Sequence, residues 1–386
     1  MLALLSAGFA TFALLYCVQP LMPVFARDFD VSAAQSSLPL SLTTGLLAPA
    51  MILAGVLSES RGRKPMMVAS LLASSLLTLV CAFIHTWPLF LAVRAAAGIT
   101  FAGLPALSLT YLSEELDATS VGLGVGLSIG GNGLGGMTGR LLAGLIADLL
   151  SWRWSLAAVG LLGVIATVIF WRTLPPSRHF EPRATNTRAL LATFREQLGD
   201  RRLVPLFAIG FLLPGGFVTS YNYITYRLMA PPFLLSQAAV GLIFTVYLVG
   251  IFASAYIGGR ADRVGRERMM LMMTGVMLAG VALTLAPSLA IVVLGAATIT
   301  FGFFGGHSVA SSWVGLRAAH AKAQAAALYL FFYYVGSSVA GSVGGIFWDR
   351  AQWPGVAGFI AGLLILAVVA AIVTAKESSV NVHPSK

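Results

Sequence analysis

The sequence is poor in charge and poorer still in acid. Only 10% of its 386 residues are Asp, Glu, Lys or Arg, with 14 acidic against 24 basic side chains. Soluble domains carry about 25% charged residues, so a chain this depleted cannot cover its surface with water-facing groups. Cysteine is limited to Cys17 and Cys81, both in apolar stretches and without metal-ligand spacing, which argues against a disulfide framework or a thiolate metal site. They are read as packing residues. The sequence has no Gly-x4-Gly-Lys-Ser/Thr loop for nucleotide phosphates and no His/Cys/carboxylate cluster for metal chemistry. Neither an enzyme nor an ATP-driven pump is expected, and no cofactor.

Hydrophobic residues make up 58% of the chain and fall in runs long enough to cross a bilayer core of roughly 30 Å as helices. About twelve such runs can be placed, at 2–25, 36–57, 65–85, 88–112, 121–148, 152–173, 204–228, 237–257, 267–287, 288–313, 323–347 and 354–375. A closed β-barrel would need alternating segments of about ten residues, so the Leu/Ala/Gly runs predict an all-α membrane protein. The first run is too long for a signal peptide and is followed by another span. No charged region precedes it, so a start upstream of Met1 stays open.

The net charge of +10 would suit a nucleic-acid binder, but the basic residues cluster in short loops between apolar runs, as the positive-inside rule describes. No nucleic-acid partner is expected; the lipid bilayer is. Arg61, Arg63 and Lys64 follow the second run, Arg260, Arg263, Arg266 and Arg268 the eighth, and Arg317 and Lys322 the tenth. That asymmetry predicts that both termini are cytoplasmic. The one long hydrophilic stretch, 174–203, opens with Pro175-Pro176 and is rich in Arg. It reads as a cytoplasmic linker between an N-terminal half, 1–173, and a C-terminal half, 204–386. Arg188 to Arg202 could lie on the membrane surface as an amphipathic helix.

The halves echo each other. Gly55-Val-Leu-Ser-Glu59-Ser-Arg-Gly62-Arg63-Lys64 is repeated as Gly258-Gly-Arg-Ala-Asp262-Arg-Val-Gly265-Arg266-Glu267, at an offset of 203 residues. Ser32, which has capping-box spacing to Gln35, is matched by Ser236. Internal repeats of this kind are common in transporter folds.

These residues resemble the signature of the major facilitator superfamily, G-x-L-a-D-r-x-G-R-K, with Glu59 in the usual Asp position. Arg94-Ala-Ala-Ala-Gly98 is similar to the family's R-x-x-q-G, with Ala97 replacing Gln, and Trp152-Arg153-Trp154 also looks like the family. The resemblance covers the whole chain. It implies twelve transmembrane helices in two pseudo-symmetric six-helix halves, and a secondary transporter working by alternating access about a site near mid-membrane. It also implies a bacterial inner-membrane location and a monomer. Tyr16-Cys-Val-Gln19-Pro20 and His307-Ser-Val-Ala-Ser-Ser-Trp313 resemble bacterial arabinose-efflux-like and drug–proton antiporter members, implying proton-coupled export of a small organic solute. A membrane sensor that does not transport is the remaining alternative on this fold.

Three sets of residues are expected to carry function. Gly55, Glu59, Gly62, Arg63, Lys64, Gly258, Asp262, Gly265 and Arg266 form the doubled loop, where a carboxylate beside guanidinium and ammonium groups can make charge-assisted bonds. In the family this implies a cytoplasmic latch. Gly131, Gly135 and Gly139 on the fifth run, and Gly341 and Gly345 on the eleventh, share one helix face and allow close backbone approach. The first set is similar to the family's antiporter motif, although Asn132 replaces its Pro.

The interior is the third set. A central Arg costs roughly 2.5–3.5 kcal/mol on insertion scales and so faces a cavity or a partner. Arg94 and Arg140 meet that description, whereas every Asp and Glu lies in a loop or near a helix end. Two guanidiniums without interior acids disfavour a cationic drug and fit a neutral or anionic solute, so uptake or exchange of an organic anion is the competing reading. Polar candidates around them are Tyr16, Gln19, Asn132, Tyr221, Asn222, Tyr223, Tyr247, Ser311, Tyr333 and Tyr334. His307 lies deep in a helix and, as an imidazole, suits proton pickup near neutral pH.

Overall fold

The computed structural model describes residues 2–115, 118–177, 180 and 187–380. Among them the chain is helical and has no strand. In order, the helices are α1 (Leu2–Tyr16), α2 (Met22–Asp28), α3 (Ala33–Ser36), α4 (Leu38–Arg61), α5 (Arg63–Cys81), α6 (Trp87–Phe101), α7 (Gly103–Glu115), α8 (Ala118–Leu149) and α9 (Trp152–Thr173). They continue as α10 (Thr187–Gly199), α11 (Val204–Met229), α12 (Gln237–Gly241), α13 (Tyr247–Val264), α14 (Arg266–Leu283), α15 (Leu289–Arg317) and α16 (Lys322–Val380), with a 3-10 stretch at Leu242–Val246.

These helices cover the twelve expected runs, three runs being interrupted, the eighth by the 3-10 stretch Leu242–Val246, and two merged. The first run breaks after Tyr16, because Pro20 has no N–H for the Tyr16 carbonyl and its ring blocks a continuing helix. Gln19 N–H turns back to Tyr16 O at 3.0 Å instead. The fourth run divides into α6 and α7 at Ala102. The last two runs form α16, interrupted by non-helical backbone at Ala351 and Gln352. Pro49 and Pro214 lie inside α4 and α11 without ending them. Eight stretches among the described residues are long and apolar enough to cross a membrane.

The chain forms two compact units, Met1–Thr185 with Thr225–Thr245, and Asn186–Ile224 with Val246–Lys386. In the first unit, α8 lies directly on α1. A Cβ at Gly131 would stand 2.6 Å from Leu5 O, one at Gly139 2.5 Å from Ala13 Cα, and one at Gly135 would collide with the Phe9 backbone. Small residues at four-residue spacing let two backbones approach where no solvent effect drives helices together. Asn132 belongs to the same seam, its Oδ1 standing where a Cβ on Gly8 would be, 2.6 Å away. In the second unit Gly336 of α16 lies on the Phe211 backbone of α11, and Gly280 of α14 meets Gly295 and Ile299 of α15. Gly341 and Gly345 are buried. Large apolar side chains such as Leu53, Phe83 and Leu109 face outward, the surface a bilayer requires.

Helix starts follow the sequence. Ser32 accepts from Gln35 N–H while Gln35 accepts from Ser32 N–H, closing a capping box, and Ser236 accepts from Ala239 N–H at 3.3 Å. Gly62 and Gly265 both have positive φ, +86° and +94°. That left-handed backbone, reversing the chain between α4 and α5 and between α13 and α14, explains a glycine at each copy of the motif.

Candidate functional site

In the first unit the two interior arginines sit around the break that follows α1. The break leaves the Leu15 carbonyl without its helical donor, since Gln19 N–H has turned to Tyr16. Arg94, on α6, supplies a replacement: Nη2 donates to Leu15 O at 3.2 Å and Nε to Pro39 O at 3.3 Å. Its own backbone carbonyl accepts from Thr43 at 2.9 Å. Arg94 is fully buried, and its Nη1 has no hydrogen-bond partner among the described residues.

Arg140 lies on α8 and is 2% exposed. Nε donates to Gln19 Oε1 at 2.6 Å, and Nη1 donates to Gly136 O, one turn back, at 2.7 Å. Tyr16 and Phe244 lie against the guanidinium, with ring centroids 4.2 and 5.1 Å away. Four of the expected residues therefore fall close together: Arg140, Gln19 and Tyr16 in direct contact, and Arg94 one helical turn away at Leu15.

Phe244 was not expected, and it arrives with a segment. Residues 225–245 pack on the first unit at the end of the helices opposite the Glu59–Lys64 loop. Gln237 donates to Pro20 O, Tyr226 bonds Ser36 at 2.6 Å and Met22 O at 3.0 Å, and a Cβ at Gly144 would meet Gln237 O at 3.0 Å.

At the other end, Arg63 gathers both acids of its surroundings. Nη2 donates to Glu59 at 2.8 Å and to Glu114 at 2.9 Å, Nη1 donates to Ser58, and the ring of Phe180 lies 5.5 Å from the guanidinium carbon. Lys64 donates to Leu174 O. Gly55 has open space beside it, while a Cβ at Gly258 would meet Ser308 Oγ at 2.8 Å. In the second copy Arg266 pairs with Asp262. Glu114, in the last turn of α7, is part of this cluster, a role the sequence did not single out.

The expected polar residues of the second unit divide into two groups. Tyr221, Asn222 and Tyr223 are fully buried and hold helices together. Tyr221 OH meets Thr300 Oγ1 at 2.6 Å, while Tyr223 OH and Asn222 Nδ2 donate to Gly341 O at 2.8 and 3.3 Å. Tyr247 packs edge-on against Tyr221, with centroids 5.1 Å apart. The second group centres on His307, whose Nδ1 lies 2.9 Å from Tyr329 OH, with the Tyr333 ring 5.0 Å from its own and Tyr334 beyond. Ser311, one turn further along α15, is exposed. Tyr329 is the member sequence reasoning missed.

A family model for the Major Facilitator Superfamily matches residues 4–231 and 212–386. The chain belongs to the major facilitator superfamily. It is 48% identical over 366 residues to the MFS-type transporter YybF of Bacillus subtilis (strain 168), covering 95% of this chain and 91% of that protein. It is also 48% identical over 368 residues to the inner membrane transport protein YnfM of Escherichia coli (strain K12), covering 95% and 88%. Among solved structures, the nucleoside transporter NupG superposes with a TM-score of 0.82 at 17% identity, over 97% of this chain and 99% of that one. A D-xylose–proton symporter gives 0.74 at 14% identity, over 97% and 96%. At these identities the structural likeness speaks for the fold, and the relatives speak for the family. This superfamily member is therefore a membrane transporter and not an enzyme.

Proposed function

We propose that this transporter is a secondary active exporter, driven by protons, that moves a small organic solute by alternating access. It works as a monomer in the bacterial inner membrane, with both termini cytoplasmic. The halves would be 1–173 and 204–386, joined by the linker 174–203.

The observation that carries the reading is the clamp on Arg140. A buried guanidinium holds Gln19 from the broken first span and lies against Phe244 from the 225–245 segment. The polar contacts of that segment include Gln237 to Pro20 O and Tyr226 to Ser36 and Met22 O, all hydrogen bonds between neutral groups. Such bonds can be exchanged for water at modest net cost, about 0.5–1.5 kcal/mol each. A seal of this kind suits one end of a transporter that opens alternately. His307, bonded to Tyr329, is the proposed proton carrier. The arabinose-efflux-like resemblance at Tyr16–Pro20 and His307–Trp313 supports the outward direction.

A second reading, uptake or exchange of an organic anion, is favoured by Arg94 and Arg140 in the interior of a chain whose Asp and Glu fall in loops or near helix ends. Solute flux under an imposed pH gradient, measured in inside-out and right-side-out vesicles, tests the proposal. Accumulation only in inside-out vesicles supports export, and accumulation of an organic acid in right-side-out vesicles supports the second reading. Thermal-shift screening against sugars and organic acids at two pH values would supply the solute, because a true ligand stabilises by mass action.

A further inference from the structure

The two copies of the loop motif are not equivalent, and an open cavity lies beside the second. At the repeat offset of 203 residues, α14 corresponds to α5, and α15 corresponds to the stretch made by α6 and α7. In the first copy Arg63 is 4% exposed and closes on two carboxylates, one of them Glu114 at the end of α7. The residue equivalent to Glu114 is Arg317, the last of α15. A cation thus stands where the first half has the anion that completes its bridge.

Arg266, the equivalent of Arg63, retains the Asp262 half of the arrangement. Its Nε is buried and has no hydrogen-bond partner among the described residues. Between the start of α14 and the end of α15, where the first half is bridged, lies a cavity of about 530 Å³. Arg266, Arg268 and Arg317 line it, with Glu267 the one carboxylate in its wall and Trp313 and Leu316 its apolar side.

We propose that this cavity binds a phosphate-type oxyanion, which supplies the negative charge that Glu114 supplies in the first half. Guanidinium groups offer paired donors matched to phosphate and carboxylate oxygens. Three of them against Glu267 in the wall and Asp262 paired with Arg266 leave the site net cationic by one charge. The 18-residue α14 begins here behind Gly265 with no side-chain cap, so its free amides add to the attraction. Trp313 lies under Arg317, at 6.0 Å, and Leu316 is exposed on an apolar span. The same chemistry can therefore come from a soluble phosphate or from an anionic lipid headgroup whose chains run along Leu316.

The test uses the full chain, purified. Thermal unfolding is followed in nanodiscs of phosphatidylcholine with and without phosphatidylglycerol, and in neutral detergent with inorganic phosphate against sodium chloride at matched ionic strength. At least one anion is expected to raise Tm over its control: phosphatidylglycerol alone identifies a lipid headgroup, phosphate a soluble oxyanion. Arg317→Glu places on α15 the carboxylate that α7 carries, so its apparent affinity for the anion should fall at least about tenfold while its Tm without anion is retained. Should that variant fail to fold, Arg268→Gln removes one donor from an exposed position and should weaken the response. No rise with either anion would overturn the proposal, as would a response in the folded variants equal to that of the unaltered protein.

Discussion

Arg140 and Gln19 meet at 2.6 Å between α8 and the break that follows α1. Neither feature explains itself alone: the break gives Gln19 its buried position, and the guanidinium gives the Gln19 carbonyl a donor. Hydrogen bonds to charged groups contribute about 1.5–3 kcal/mol. Gln19→Ala should therefore lower transport by roughly tenfold or more, with folding preserved in size-exclusion profiles. Gln19→Glu is the sharper probe. It places an acid on Arg140, and if the solute is an anion, its binding in a thermal-shift titration should be lost, whereas a neutral solute would still bind.

The seam between α1 and α8 predicts opposite outcomes for two glycines of one helix. A Cβ at Gly135 would run into the Phe9 backbone, which cannot rotate away, whereas a Cβ at Gly126 meets nothing within 4 Å. Gly135→Ala should destabilise by about 1–3 kcal/mol through overpacking. Gly126→Ala should be neutral or stabilise by about 0.5–1 kcal/mol, since it removes a glycine from a helix interior. Thermal unfolding in detergent compares them directly. Equal effects would mean that the glycine spacing serves something other than the α1–α8 contact.

The sequence made some of this legible and hid the rest for physical reasons. Apolar length located the spans because every backbone group in a bilayer must be bonded within its own helix. Length did not locate the break after Tyr16, because proline alone does not decide. Pro49 and Pro214 leave α4 and α11 intact, whereas at Pro20 the chain turns away, with Gln19 N–H on Tyr16 O and Arg94 on Leu15 O. Arg94 and Arg140 stood out as interior charges. Phe244 and Gln237 did not, because an aromatic or amide in an apolar run carries no sign of the distant helix it meets. The Glu114–Arg63 bridge joins residues 51 apart in sequence that no local pattern links. The repeat held a clue to it, since position 317 carries the opposite charge.

That bridge gives the two copies of the motif different weights. Glu59 and Glu114 are 31% and 25% exposed around a buried Arg63, whereas Asp262 beside Arg266 is 71% exposed. Arg63→Gln leaves two partly shielded carboxylates facing one another and should cost about 1–2 kcal/mol of stability. Asp262→Asn should stay within about 0.5 kcal/mol. Added salt should narrow the second difference more than the first, because screening acts mainly on exposed charge. Denaturation of both variants at low and high ionic strength is the check, and a larger loss at Asp262 would reverse the assignment.

The proton assignment rests on His307 and Tyr329, joined at 2.9 Å between α15 and α16. If His307 carries the proton, His307→Gln should abolish accumulation driven by a pH gradient while leaving solute exchange at equal pH intact, since exchange needs no net proton movement. Tyr329→Phe keeps the ring, which stacks 5.6 Å from the imidazole, and removes only the hydroxyl. It should shift the pH at which driven transport is half-maximal without abolishing transport. Vesicles assayed across pH 5.5 to 8.5 distinguish the two effects. Gradient-driven transport unchanged in His307→Gln would remove the histidine as carrier, and loss of exchange as well would make its role structural.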